Sequence, residues 1–125
     1  MKLENKITAI LEKENRLPVG CWEVKRTTGN SIPFSSFANH QIESLMKAKH
    51  QRLNVKIRDV GRHLKNFDGM TFEKSPAWCV CCYPFNNKQG FIAYSIDIDV
   101  WYNERRTSGK KSLSLERAKE LGTLI

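Results

Sequence analysis

A glutamate and a lysine stand one residue apart in the run CWEVKRT, at Glu23 and Lys25. The run reads as a strand, in which successive side chains alternate faces. The two groups therefore share one side, about 6–7 Å apart along the backbone. A carboxylate there suits a hydrated divalent cation, and an ammonium beside it suits a water or a phosphate that gathers negative charge. On the helix expected next, Gln41 falls four residues after Phe37 and four before Leu45. That places it on the buried side of the stripe Phe37, Ala38, Ile42, Leu45 and Met46. A buried amide is costly unless it is satisfied. Either it bonds backbone at the edge of the core, or it stands beside Glu23 and Lys25 and bonds a metal-bound water or phosphate. His40 points to the flank of the helix and reads as a surface or DNA-side residue.

Holding these groups together takes a strand, a loop and a helix within a larger sheet. Leu3, Ile7, Ile10 and Leu11 have helical spacing and predict a first helix over residues 2–15, broken by Leu17-Pro18. Val19-Gly20 turns into the strand, with Cys21, Glu23, Lys25 and Thr27 on one face and Trp22, Val24 and Arg26 on the other. After a turn at Thr28 to Ser31, Ser35 or Ser36 is expected to cap a helix running from about residue 36 to 49. LNVKIRDV, residues 53–60, alternates as a half-exposed strand, and residues 61–74 show no sustained period and read mostly as loop. AWCVCCYPF is apolar on both faces, as a strand near the centre of a sheet should be. Asn86 to Gly90 reads as a hairpin turn into the strand FIAYSIDIDVW. On that strand Asp97 and Asp99 share a face and read as exposed residues pairing with basic neighbours. Trp78 and Trp101 flank the buried strands as core.

Arg105 to Lys111 reads as a basic, flexible loop. Its Gly109-Lys110-Lys111-Ser112 lacks the glycine a P-loop needs at position 104, where Glu stands, so it serves better as a phosphate-contacting loop. A short helix from Ser114 to Leu121 turns Leu115, Ala118 and Leu121 inward and stops at Gly122. The pattern predicts one compact α/β domain over residues 1–125, with a central mixed β-sheet flanked by helices.

Composition sets the class of partner. Hydrophobic content of 40% with 27% charged residues is ordinary for a globular chain. No apolar run approaches the ~20 residues that span a bilayer, and MKLENKITAILEKENR is too charged for a secretory signal. Both point to the cytosol and away from a membrane. Twenty-one Lys and Arg against thirteen Asp and Glu give a net charge of +8, which favours a polyanion. Arg26, His40, Arg105, Arg106, Lys110 and Lys111 are the expected nucleic-acid contacts. Cys79, Cys81 and Cys82 sit in one apolar run, and with Cys21 they show no zinc-site spacing. In a reducing compartment they read as buried free thiols acting as small hydrophobes.

At WEVKRTTGNSIPFSSFANHQIESL the chain resembles the restriction-endonuclease-like nuclease superfamily, whose metal motif is an Asp followed by Asp/Glu-x-Lys. Many members add a Gln on the next helix. Within the superfamily it is most similar to the bacterial and phage Holliday-junction resolvases, and GKKSLSLERAKEL is similar to their C-terminal part. The resemblance implies a restriction-endonuclease-like fold and an endonuclease dependent on Mg²⁺ or Mn²⁺, acting on DNA as a homodimer, with branched DNA as the candidate substrate and a phage as a candidate source. Glu23 would be a metal ligand, Lys25 would position or activate the attacking water, and Gln41 would support the centre. The family's upstream Asp has no counterpart, because no Asp precedes Asp59. Glu4 or Glu14 on the first helix, with Glu14 expected to face the core, or Asp59 or Asp68 displaced along the chain, are the carboxylates available to complete the set. One carboxylate holds Mg²⁺ poorly without substrate phosphates. A degenerate nuclease fold that binds nucleic acid or a protein without cutting therefore stands as the alternative.

Overall fold

A computed structural model describes residues 3–58, 65–85 and 90–125, and for residues 3–5 the backbone alone. The elements run α1 (Leu3–Lys13), β1 (Cys21–Arg26), β2 (Ser31–Pro33), a 3-10 turn (Phe34–Ser36), α2 (Asn39–His50), β3 (Arg52–Lys56) and β4 (Gly69–Glu73). They continue as β5 (Ala77–Phe85), β6 (Gly90–Asp97), α3 (Ile98–Thr107), β7 (Ser112–Ser114), α4 (Leu115–Leu121) and β8 (Thr123–Leu124). A four-stranded mixed sheet, ordered β1-β5-β6-β8, forms the centre. β1 runs parallel to β5, β6 antiparallel to β5, and β8 antiparallel to β6. Two small ribbons, β2–β7 and β3–β4, lie outside it.

Alternation along β5 explains why the run AWCVCCYPF is apolar throughout. Ala77, Cys79, Cys81 and Tyr83 face a core built with Ile42, Leu45, Ile98, Trp101 and Ala118 of α2, α3 and α4. Val80 and Cys82 face the other way, onto Ile7 and Leu11 of α1, with Val24 and Ala93. Helices thus cover both faces, as a sheet with a parallel pair requires. Each such side chain, once buried, contributes about 1.5–3 kcal/mol. Cys79, Cys81 and Cys82 are buried free thiols and Cys21 is half-buried. Burial first, then the neighbouring Cys81, Glu23 and Asp97, push the Cys79 thiol well above its ordinary value. No described helix is long and apolar enough to cross a membrane.

Several sequence expectations shift. α2 begins at Asn39, because Ser35 and Ser36 are taken up in the 3-10 turn and the cap position falls on Ala38. Residues 69–73, read as loop, form β4 and pair with β3. The strand expected through Trp101 ends at Asp97, whose side chain accepts the Asp99 N–H at 2.9 Å and starts α3. Asp97 and Asp99 therefore do not share a strand face, although both do pair with a base, Lys49 of α2. Burial pushes Asp99 up, but hydrogen bonds from Lys49 and His50 outweigh it and hold the carboxyl below its ordinary value. Arg105 and Arg106 belong to the last turn of α3 and not to a flexible loop. Trp101 is core as expected, but on a helix, edge-on to Phe34 and Phe37 with ring centroids 5.6 and 5.1 Å away. The turn expected at residues 86–89 lies outside the described residues, while Phe85 and Gly90 on either side of it are paired.

Candidate active site

β1 enters the sheet at Gly20, whose φ of +150° brings its backbone against Pro76 and Trp78 with no room for a side chain. Glu23 and Lys25 then project from the same face as Cys79 and Cys81, their partners across β5. The side chains meet: Lys25 Nζ lies 3.5 Å from Glu23 Oε1, with the lysine more enclosed than the glutamate.

Gln41 bonds backbone, as one of the two readings expected, and it also reaches Glu23 itself. Its Oε1 accepts the Ala38 N–H at 2.9 Å, satisfying a donor at the start of α2, where alanine supplies no capping group. Its Nε2 donates to Glu23 Oε1 at 3.0 Å. One amide therefore ties the start of the helix to the carboxylate on the strand. Glu23 Oε1 is shared by an amide and an ammonium, and Oε2 carries no protein hydrogen bond among the described residues.

A cleft of about 470 Å³ opens over Glu23 and Gln41, with Lys25 behind the carboxylate and outside the lining. Its polar end is Glu23, His40, Gln41 and Ser44. Its apolar end is Leu45 with Leu53, Val55 and Phe72 of the β3–β4 ribbon. The wall made by that ribbon was missed in the sequence. The alternation of Leu53 and Val55 was visible, but its partner strand is too short to announce itself.

A backbone oxygen was missed as well. Cys21 N–H donates to Pro76 O at 2.9 Å and Thr27 N–H to Cys82 O at 3.1 Å. Alternate residues of a parallel strand bond to the same neighbour. Glu23 and Lys25 therefore turn their backbone groups toward β5, while Val24 turns its carbonyl toward the other side of β1. No strand pairs there among the described residues.

The remaining expected residues divide. Glu14 is exposed beyond the end of α1 and paired with Arg16 at 2.9 Å, not facing the core, because α1 ends at Lys13. α1 also covers the opposite face of the sheet from Glu23, which removes Glu14 from this site. Glu4 lies on α1, with its side chain outside the described atoms, and Asp59 lies outside the described residues. Asp68 is exposed and paired with Lys65 at 3.2 Å. Arg26 lies with Thr27 and Thr28 beside α1, on the far face from Glu23. Arg105 and Arg106 border a hollow with Asn39, Ile42 and Glu43, on the side of α2 that faces away from Gln41. Lys110 and Lys111 are exposed beside them in sequence, between α3 and β7.

Among the described residues no group of three His, Cys, Asp or Glu side chains converges to hold a metal. Glu23 and the Val24 carbonyl are hard oxygens of the kind Mg²⁺ takes. They fit a cation that keeps most of its waters and leans on a substrate phosphate, and they do not fit one caged by protein alone. Comparison of the chain with family models, with curated proteins and with solved structures finds no match in any of the three.

Proposed function

We propose that this is a restriction-endonuclease-like protein that hydrolyses phosphodiester bonds in DNA with the help of a divalent cation. The observation that carries the reading is the contact of Gln41 and Lys25 with Glu23, a carboxylate that lines a cleft in a chain of net charge +8. Glu23 and the Val24 carbonyl would hold Mg²⁺ or Mn²⁺, which when bound polarises a phosphate and lowers the pKa of a water. Lys25 sets an ammonium beside the carboxylate, where it offsets charge gathering on the phosphate oxygens. Gln41 fixes the carboxylate's direction. Arg105 and Arg106, around α2 from Gln41, would meet phosphates farther from the reacting bond. Branched DNA and a homodimer belong to the same proposal, since a two-fold junction needs paired sites.

A second reading rests on Glu23 being, among the described residues, the only carboxylate of the constellation. On that reading the fold binds nucleic acid or a protein and does not cut. Synthetic junction, flap and linear DNA incubated in Mg²⁺ or Mn²⁺ separate the two. Cleavage that disappears in Glu23→Ala and Lys25→Ala supports hydrolysis. Binding without cleavage in either metal, unchanged by those substitutions, supports the second reading.

A further inference from the structure

The β3–β4 ribbon has two chemically different faces. Leu53 pairs with Phe72 and Val55 with Met70, so four apolar side chains share one side. Arg52, Asn54, Lys56, Thr71 and Glu73 take the other. An isolated two-stranded ribbon is marginal in water unless something packs on its apolar face. Here α2 and its C-cap residue anchor the root, through Ser75 N–H to Ala48 O at 2.8 Å and Lys74 N–H to Gln51 O at 3.3 Å. Farther out, Val55 and Met70 remain 37% and 38% exposed. Leu53, Val55 and Phe72 line the cleft that holds Glu23. Beyond them Lys56, Arg58 and Lys65 border a second hollow of about 390 Å³, where Lys65 is shared with Asp68.

We propose that this ribbon is a platform for an unpaired stretch of the substrate strand, with bases against Phe72, Val55 and Met70 and the backbone passing round the ribbon's far end, where Lys56 and Arg58 border the second hollow. The identity of the substrate rests on the phosphodiesterase reading, but the platform requires only binding. A paired duplex keeps its bases stacked inside, whereas an unpaired base offers a flat apolar face to an aromatic ring. The cleft beside Glu23 has the volume of a small-ligand site. Charge selects the occupant. A second copy of a +8 chain would crowd cations onto the end of the ribbon that carries Lys56 and Arg58, while a polyanion neutralises it.

The test measures binding by fluorescence anisotropy in EDTA, comparing a duplex that ends in a single-stranded tail with a blunt duplex of equal length. Phe72→Ala should weaken binding of the tailed DNA by roughly tenfold, the scale of one lost stacking contact, and leave the blunt duplex within about twofold. Val55→Ser, an exposed change that spares the fold, should act in the same direction. Lys56→Ala with Arg58→Ala should flatten the salt dependence of tail binding by about 0.7 in log–log slope per phosphate lost. Equal losses for both DNAs overturn the platform, as does a dimer that disappears in Val55→Ser while DNA binding stays unchanged. Phe72-dependent tail binding without cleavage removes the phosphodiesterase reading and keeps the platform. Cleavage indifferent to Phe72 and Val55 does the reverse.

Discussion

Glu23 and Glu104 are both glutamates drawn toward the interior beside a cation, and they are held in opposite ways. Glu104 on α3 is 8% exposed, and Arg117 of α4 grips both of its oxygens, Nε to Oε2 at 2.7 Å and Nη2 to Oε1 at 3.1 Å. The Arg117 hydrogen bonds outweigh burial and hold the Glu104 carboxyl below its ordinary value. Glu23 has one oxygen engaged, by Gln41 and Lys25, and the carboxylate opens into a cleft. A carboxylate with both oxygens taken is a clamp between helices. One that is oriented but half-used is available to something outside the chain.

That contrast breaks most visibly through Glu23. Glu23→Gln keeps the size and an acceptor for Gln41 but removes the charge, and it should abolish cleavage of branched DNA in Mg²⁺ on a denaturing gel. Its thermal midpoint should stay near that of the unsubstituted chain, as expected for a partly exposed site with little packing at stake. Full cleavage by Glu23→Gln would sink the contrast. Next in size is Lys25→Ala, expected to slow cleavage by about 10²–10³-fold, the scale of one preorganised charge at a reacting phosphate. Gln41→Ala should cost less, about 10–100-fold, as for groups that orient a ligand. It also leaves the Ala38 N–H without its acceptor, at about 1 kcal/mol of stability.

The elements around Glu23 were legible because each obeys one period. CWEVKR alternates, the α2 stripe repeats at helical spacing, and AWCVCCYPF is buried on both sides. The sequence misled where two periods overlap. Ile96-Asp97-Ile98-Asp99-Val100 alternates like a strand, yet Asp97 caps a helix whose inward residues are Ile98, Trp101 and Glu104. The helical signal was present in that three-residue spacing, in Asp99 in the first turn, and in Arg105 and Arg106 in the last. It lost to the stronger alternation. β4, β2 and β7 escaped for another reason: strands of three to five residues are defined by their partners and not by their own pattern. Glu104 is the instructive miss. Placed in a supposed strand-to-loop region it read only as a departure from a P-loop, and its partner Arg117 lies thirteen residues away on a different helix.

The smallest expected effect tests the clamp side of the contrast. Glu104→Gln should lower stability at pH 7 by about 1–2 kcal/mol, the range for hydrogen bonds to a charged group, discounted because Arg117 remains partly in solvent. The pH dependence follows from the direction of the shift. A carboxyl whose folded pKa is depressed adds stability that is fully present above its unfolded value, near 4.5, and is lost as pH falls through the lower folded value. Urea unfolding of the unsubstituted chain and of Glu104→Gln should therefore differ most at neutral pH and converge below pH 4.5. A gap between the unsubstituted chain and Glu104→Gln that persists into acid would mean that the glutamine is simply packed worse and that Arg117 clamps nothing.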